Sequence, residues 1–166
     1  MKTFKFYSAA SRFFISSNDY DRLNGTEKEY HYFASVLFSW VALESYINAI
    51  SESLSKGTRL GEHEKAFLLE RELRVNDDGL FHEVAIRPST TKKILFLIHY
   101  FSKVDVKSFK QKEMWRNLKS FEDLRNRILH HKEIGDIRID FRKASEYRDL
   151  VAEAIVYFNK LLFRRR

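Results

Sequence analysis

The chain has 166 residues, enough for one domain with a real core, and 44% are hydrophobic, which excludes a disordered chain. There is no cysteine, so disulfides, thiolate-ligated metals and a cysteine nucleophile are excluded. Lys and Arg number 30 against 23 Asp and Glu, a charge of +7. Such a balance attracts polyanions, nucleic acid above all, with an ordinary basic surface as the alternative reading.

Only 1 Pro and 5 Gly are present, which favours long uninterrupted helices. The aromatic-rich stretch from Phe4 to about Tyr20 reads as a first helix, and Asp19 to Thr26, with Asn24-Gly25, as a polar break. The clearest signal follows. Phe33, Val36, Leu37, Trp40, Val41, Ile47, Ile50 and Leu54 recur at helical spacing, predicting a helix from Thr26 to Ser55 that stops at Gly57. Glu62 to Glu70 reads as a short helix. Two short strands are then expected around the Asp78-Gly79 turn, giving a hairpin near residues 70–86. Pro88 ends it, and Ser89 is a good cap for a helix from Thr90 to Ser102. Val104 to Phe109 reads as a linker. A helix from Lys110 to His131 carries Trp115, Leu118, Phe121, Leu124 and Ile128 as its apolar positions. Gly135 closes that region, and a last helix runs from Arg142 to Phe163. The whole chain, residues 1–166, is thus expected to be a single all-α domain, an antiparallel bundle of four to five helices with a short hairpin excursion.

The N-terminus lacks a signal-peptide run, and Glu44, Asn48 and Glu153 interrupt the apolar stretches. The expected location is therefore cytoplasmic, without a membrane. His31, His63, His82 and His99 are scattered and show no helical zinc spacing, so no metal or cofactor is expected. No glycine-rich phosphate loop or nucleophile elbow occurs.

The segment from Phe121 to Lys132 carries the chemistry. It concentrates Arg125, Asn126, Arg127, His130 and His131 in the last turns of one helix. Asn126 and His130 are i, i+4, and Glu122 extends that row backwards. Arg125 and His130 are five apart, about 140° around an ideal helix, so they do not sit on one line, but a long Arg can swing toward the row and a facing helix can close the gap. Such a set suits RNA cleavage. Histidine can take the proton of a ribose 2′-hydroxyl and return one to the leaving oxygen. Arginine offers a planar fork to the phosphate and to the charge that grows on it. The alternative is electrostatic only, since cations in a last helical turn complement the macrodipole.

Arg125-Asn126-Arg127-Ile128-Leu129-His130 resembles the R-x(4–6)-H motif of the HEPN superfamily in its R-N-x-x-x-H form, placed late in the penultimate helix. Ser39 to Ile50 resembles the long early helix of many prokaryotic HEPN proteins. The resemblance implies a helical bundle that dimerises with its two motif copies in a basic cleft. It further implies a metal-independent endoribonuclease, of the kind found in toxin–antitoxin, phage-defence or RNA-processing systems. On that basis Arg125 and His130 form the catalytic pair with Asn126 in support. Arg127, His131 and Lys132 are expected to contact RNA; Glu44 and Asn48, i, i+4 on the long helix near its buried stripe, are candidate supports for Arg125, with an interhelical ion pair or a surface position as the alternative. Expected partners are RNA, a second copy of the chain, and an antitoxin or defence partner. One departure matters: the branch coupled to nucleotidyltransferase antitoxins carries Tyr two residues after the motif His, where this chain has Lys132. The alternatives are a non-catalytic module that holds RNA or a protein, and a structural scaffold.

Overall fold

The computed structural model describes residues 5, 7–12, 23–57, 59–130 and 137–163. Residues 7–12 are helical, within the first expected helix; the rest of that helix beyond residue 12 lies outside the described residues, as does the first half of the polar break that follows. The break ends sooner than the sequence suggests. Asn24 caps the long helix α1 (Gly25–Ser55): its Oδ1 accepts from the Glu27 amide at 3.0 Å, and Glu27 Oε2 accepts from the Asn24 amide at 2.9 Å. This reciprocal box satisfies two amides that would otherwise lack partners at the helix start.

One face of α1 buries Phe33, Val36, Trp40, Leu43, Ile47 and Ile50, alternating steps of three and four. A second seam is polar. Ser11 Oγ donates to the Ser35 carbonyl at 2.9 Å and lies 2.6 Å from Ser39 Oγ, while Ser35 Oγ donates to the Ser11 carbonyl at 3.0 Å. Small side chains allow the two backbones this close, and the hydroxyls satisfy one another where water is excluded. By length and composition α1 is apolar enough to cross a membrane, an apolarity the sequence reading had taken Glu44 and Asn48 to interrupt; 56% of that apolar window is buried within the fold.

After α2 (Glu62–Leu68) the chain turns sharply at Glu70, whose φ of 61° is left-handed. This leads into β1 (Arg71–Val75), paired antiparallel with β2 (Phe81–Ala85) in the register Arg71↔Ala85 to Val75↔Phe81. The expected hairpin is present. Asn76 Oδ1 accepts from the Asp78 and Leu80 amides, and Gly79 takes φ +77°, which a residue with a Cβ adopts only at a cost.

Ser89 caps α3 (Thr90–Phe101) as expected, accepting from the Lys92 amide. The expected linker at Val104–Phe109 is different. Asp105 accepts from the Ser108 amide at 2.9 Å and starts a short helix, α4 (Val106–Lys110), which drives Phe109 into the core. Helix α5 (Glu113–His130) therefore begins after a break at Gln111 and Lys112, and not at Lys110. Residues 131–136, including Gly135, lie outside the described residues, and α6 (Phe141–Phe163) completes the chain's helices.

The fold is mainly helical with one small two-stranded sheet. Helix α1 is central, packing against α6, α2, α3 and α5. Phe121 of α5 is fully buried between Trp40, edge-on at 5.2 Å, and Tyr147, stacked at 4.3 Å, so one ring joins α1, α5 and α6. Aromatic pairs at these separations add to the stabilisation from burial alone.

Candidate nucleic-acid interface

Helix α5 is held by Leu118, Phe121, Leu124 and Ile128 on its buried face. A polar clamp fixes it further. Glu122 is only 6% exposed, and its two carboxylate oxygens accept from the Thr91 hydroxyl of α3 at 3.0 and 2.8 Å and from Lys119. A buried carboxylate is tolerated because those donors replace its hydration. The row Glu122–Asn126–His130 thus begins in the protein and ends in solvent. Its first member anchors the helix, and its last two are exposed.

Arg125 is half-buried, and its Nη1 donates to Asn126 Oδ1 at 2.9 Å. This contact orients the guanidinium, so Asn126 supports Arg125 directly. Arg127 and His130 are exposed; His131 and Lys132 lie outside the described residues. Among the described residues no hydrogen bond joins Arg125 to His130, in keeping with their separation around the helix.

Glu44 is half-buried and makes no hydrogen bond or ion pair with Arg125 among the described residues. Asn48 has a different task. Its Oδ1 accepts from Lys93 Nζ at 2.7 Å, and the same ammonium pairs with Glu70 Oε1 at 2.8 Å. Lys93 is 2% exposed, so Asn48 and Glu70 supply what its charge needs inside the protein. This cluster ties α1, α3 and the start of the hairpin together.

Beside the motif lies a groove of about 550 Å³, between α5 and the start of α6. Five cations line it: Lys110, Arg116, Lys119, Arg127 and Lys143, against one carboxylate, Asp123. Only Lys119 is neutralised locally, by Glu122; among the described residues the other four form no ion pair. Two half-buried aromatics, Trp115 and Tyr147, also line it. Tyr147 has one ring face on Phe121, and Trp115 meets Phe109 edge-on at 5.6 Å. Arg116, Ser120, Asp123 and Arg127 follow one another by four, three and four residues along a single face of α5, and His130 is the next position on that face.

No family model matches the chain, and neither does any curated protein or solved structure. The groove is what sequence reading missed. Trp115 reads in the sequence as an apolar helix position, Tyr147 falls within the last expected helix, and Lys110, Arg116 and Lys143 belong to no motif there. The i, i+4, i+7 progression from Arg116 to Arg127 was available as a signal, but Lys143 and Tyr147 join it only through packing of α6 on α5.

Proposed function

We propose that this chain is an antiparallel helical bundle of HEPN type that binds single-stranded RNA and cuts it without a metal, acting as a homodimer. The observation that carries this reading is the exposed His130 at the open end of a helix face whose groove cations Arg116 and Arg127 form no ion pair among the described residues, on the same helix as Arg125, which Asn126 orients. An exposed imidazole and a half-buried guanidinium next to a basic groove are groups suited to metal-free phosphodiester transfer.

The step is an internal transesterification. The ribose 2′-oxygen gives its proton to the His130 imidazole and attacks the adjacent phosphorus. The O2′–P bond forms, the P–O5′ bond breaks, and the leaving O5′ takes a proton from an imidazolium. Arg125 balances the charge that grows on the phosphoryl oxygens. The products are a 2′,3′-cyclic phosphate and a 5′-hydroxyl. Two proton transfers ask for two imidazoles, and among the described residues no hydrogen bond joins Arg125 to His130 within one chain, so a second copy completes the set. Leu129, 48% exposed next to His130, gives that pairing an apolar contact to bury. A role as a cytoplasmic toxin or defence effector, with an antitoxin or defence partner, belongs to the same proposal.

The test is product chemistry. A mixed RNA pool incubated with the protein in EDTA should yield fragments ending in 2′,3′-cyclic phosphate, and a single 2′-deoxy substitution at a cut site should block that cut. The second reading is a non-catalytic RNA-binding module. It is favoured by the separation of Arg125 from His130 in the single chain, and RNA that is bound but never cut supports it.

A further inference from the structure

The groove holds more than charge. Elsewhere on the surface some cations pair with neighbouring acids, as Lys56 does with Glu52 and Arg142 with Glu146, and what sets the groove apart is that its cations are gathered in one place. In the groove, Lys110, Arg116, Arg127 and Lys143 share one concavity without partners among the described residues, and two aromatic side chains lie among them. Holding like charges together in one depression is unfavourable unless an anion offsets them. Aromatic rings within the same depression match a ligand with both a phosphate and a flat base. The volume, about 550 Å³, is in the range of sites for small organic ligands, which is the scale of a nucleotide unit.

Building on the RNA reading above, we propose that this groove is a nucleotide subsite for single-stranded RNA. Arg116, Lys143 and Arg127 hold backbone phosphates, and Trp115 and Tyr147 take a base. The strand then follows the exposed face of α5 toward His130. From Arg116 to His130 the helix rises about 21 Å, so the subsite selects and positions a flanking nucleotide a short distance from the bond that is cut. Stacking is indifferent to base identity to first order, so the subsite sets strandedness and register more than sequence.

Trp115 makes this measurable. The chain has two tryptophans, and the other, Trp40, is 2% exposed in the core. Quenching of Trp115 fluorescence is read in the His130→Ala background, so that ligand is not consumed. The probes are an eight-residue oligouridylate, uridine 5′-monophosphate, and heparin as a polyanion without bases. The oligonucleotide should quench, and Arg116→Glu/Lys143→Glu should weaken it by tenfold or more. Lys56→Glu/Arg87→Glu, with the same charge change on other exposed positions, should weaken it less than threefold. With labelled oligonucleotide and anisotropy as the readout, Trp115→Ala should lose about fivefold or more, with Trp115→Phe in between and keeping the packing on Phe109. Equal losses in the two double variants, or an unchanged affinity in both Trp115 variants, would overturn the subsite. Heparin or the mononucleotide competing as well as the oligonucleotide would overturn the strand. Groove-dependent quenching in a protein that cuts no RNA leaves the subsite standing and removes only the cleavage reading.

Discussion

Thr91→Val tests the physical reasoning that places helix α5. The Thr91 hydroxyl donates to both oxygens of Glu122, at 3.0 and 2.8 Å, and Glu122 is 6% exposed. Valine keeps the branched shape and removes the hydroxyl, which besides Glu122 also meets the Ser89 hydroxyl at 3.1 Å. The carboxylate then retains Lys119, whose side chain is 43% exposed and whose pairing is accordingly weakened by solvent. A hydrogen bond to a charged group contributes about 1.5–3 kcal/mol, so we expect a loss of about 2 kcal/mol. For a chain of this length that lowers Tm by roughly 4–8 °C. Urea unfolding followed by circular dichroism should show the midpoint shifted with an unchanged slope, as expected when stability alone is altered. The double variant Thr91→Val/Glu122→Leu removes the stranded carboxylate as well and should recover most of the loss, because replacing both partners by apolar groups is close to neutral. A single variant within about 0.5 kcal/mol of the parent, the usual scatter for featureless surface changes, would refute the clamp. So would a double variant no better than the single one.

Five further outcomes follow from the same structure. Phe121→Ala removes a fully buried ring packed between Trp40 and Tyr147 and should cost about 3–5 kcal/mol by denaturant unfolding. Gly79→Ala places a Cβ in open space but at φ +77°, so its loss of roughly 1–2 kcal/mol is a backbone effect, visible as faster hydrogen exchange in the hairpin than in α1. Burial raises the Tyr46 phenol, and burial followed by the Glu64 carboxylate raises that of Tyr100, so folding favours the neutral forms. Their contribution is fully present below the ordinary value of 10.0 and is lost as pH rises above it; Tyr46→Phe should flatten the fall of Tm between pH 9 and 12, and an unchanged fall would contradict this. Sedimentation should give a mass near twice 19.9 kDa at tens of micromolar, and RNA affinity should fall with salt, each groove cation removed lowering the slope by about 0.7; a strict monomer would count against the shared site.

The elements were legible where local chemistry decides them. The alternation of three- and four-residue steps in α1, the Asp78-Gly79 turn and the Ser89 cap all act within a few residues, and each falls close to its expected place. Asn24 shows the limit of that reading. The same Asn-Gly pair suits a turn or a helix start, and the Glu27 carboxylate three residues on decides for the helix. Phe109 was hidden for another reason: a five-residue helix is too short for periodicity, and burial of its one aromatic is a tertiary event. At the site, the motif residues could be read because they are consecutive on one helix. The roles of Glu122 and Asn48 could not, since their partners Thr91 and Lys93 lie 31 and 45 residues away in sequence. The groove depends likewise on α6 packing beside α5.

Whether His130 moves the proton is the central claim, and one comparison tests it most directly. Wild type, His130→Ala and Arg125→Ala are incubated with the same mixed RNA pool in EDTA, with RNA affinity and mass measured for each. The account predicts cleavage by wild type that leaves 2′,3′-cyclic phosphate ends. It predicts no cleavage by His130→Ala, which keeps its fold, its dimer and most of its RNA affinity, because Arg125 and the groove cations supply most of the phosphate attraction. Arg125→Ala should lose cleavage and part of its affinity, since the guanidinium supplies charge as well as geometry. Cleavage that survives His130→Ala undiminished would contradict the account and place the active site elsewhere.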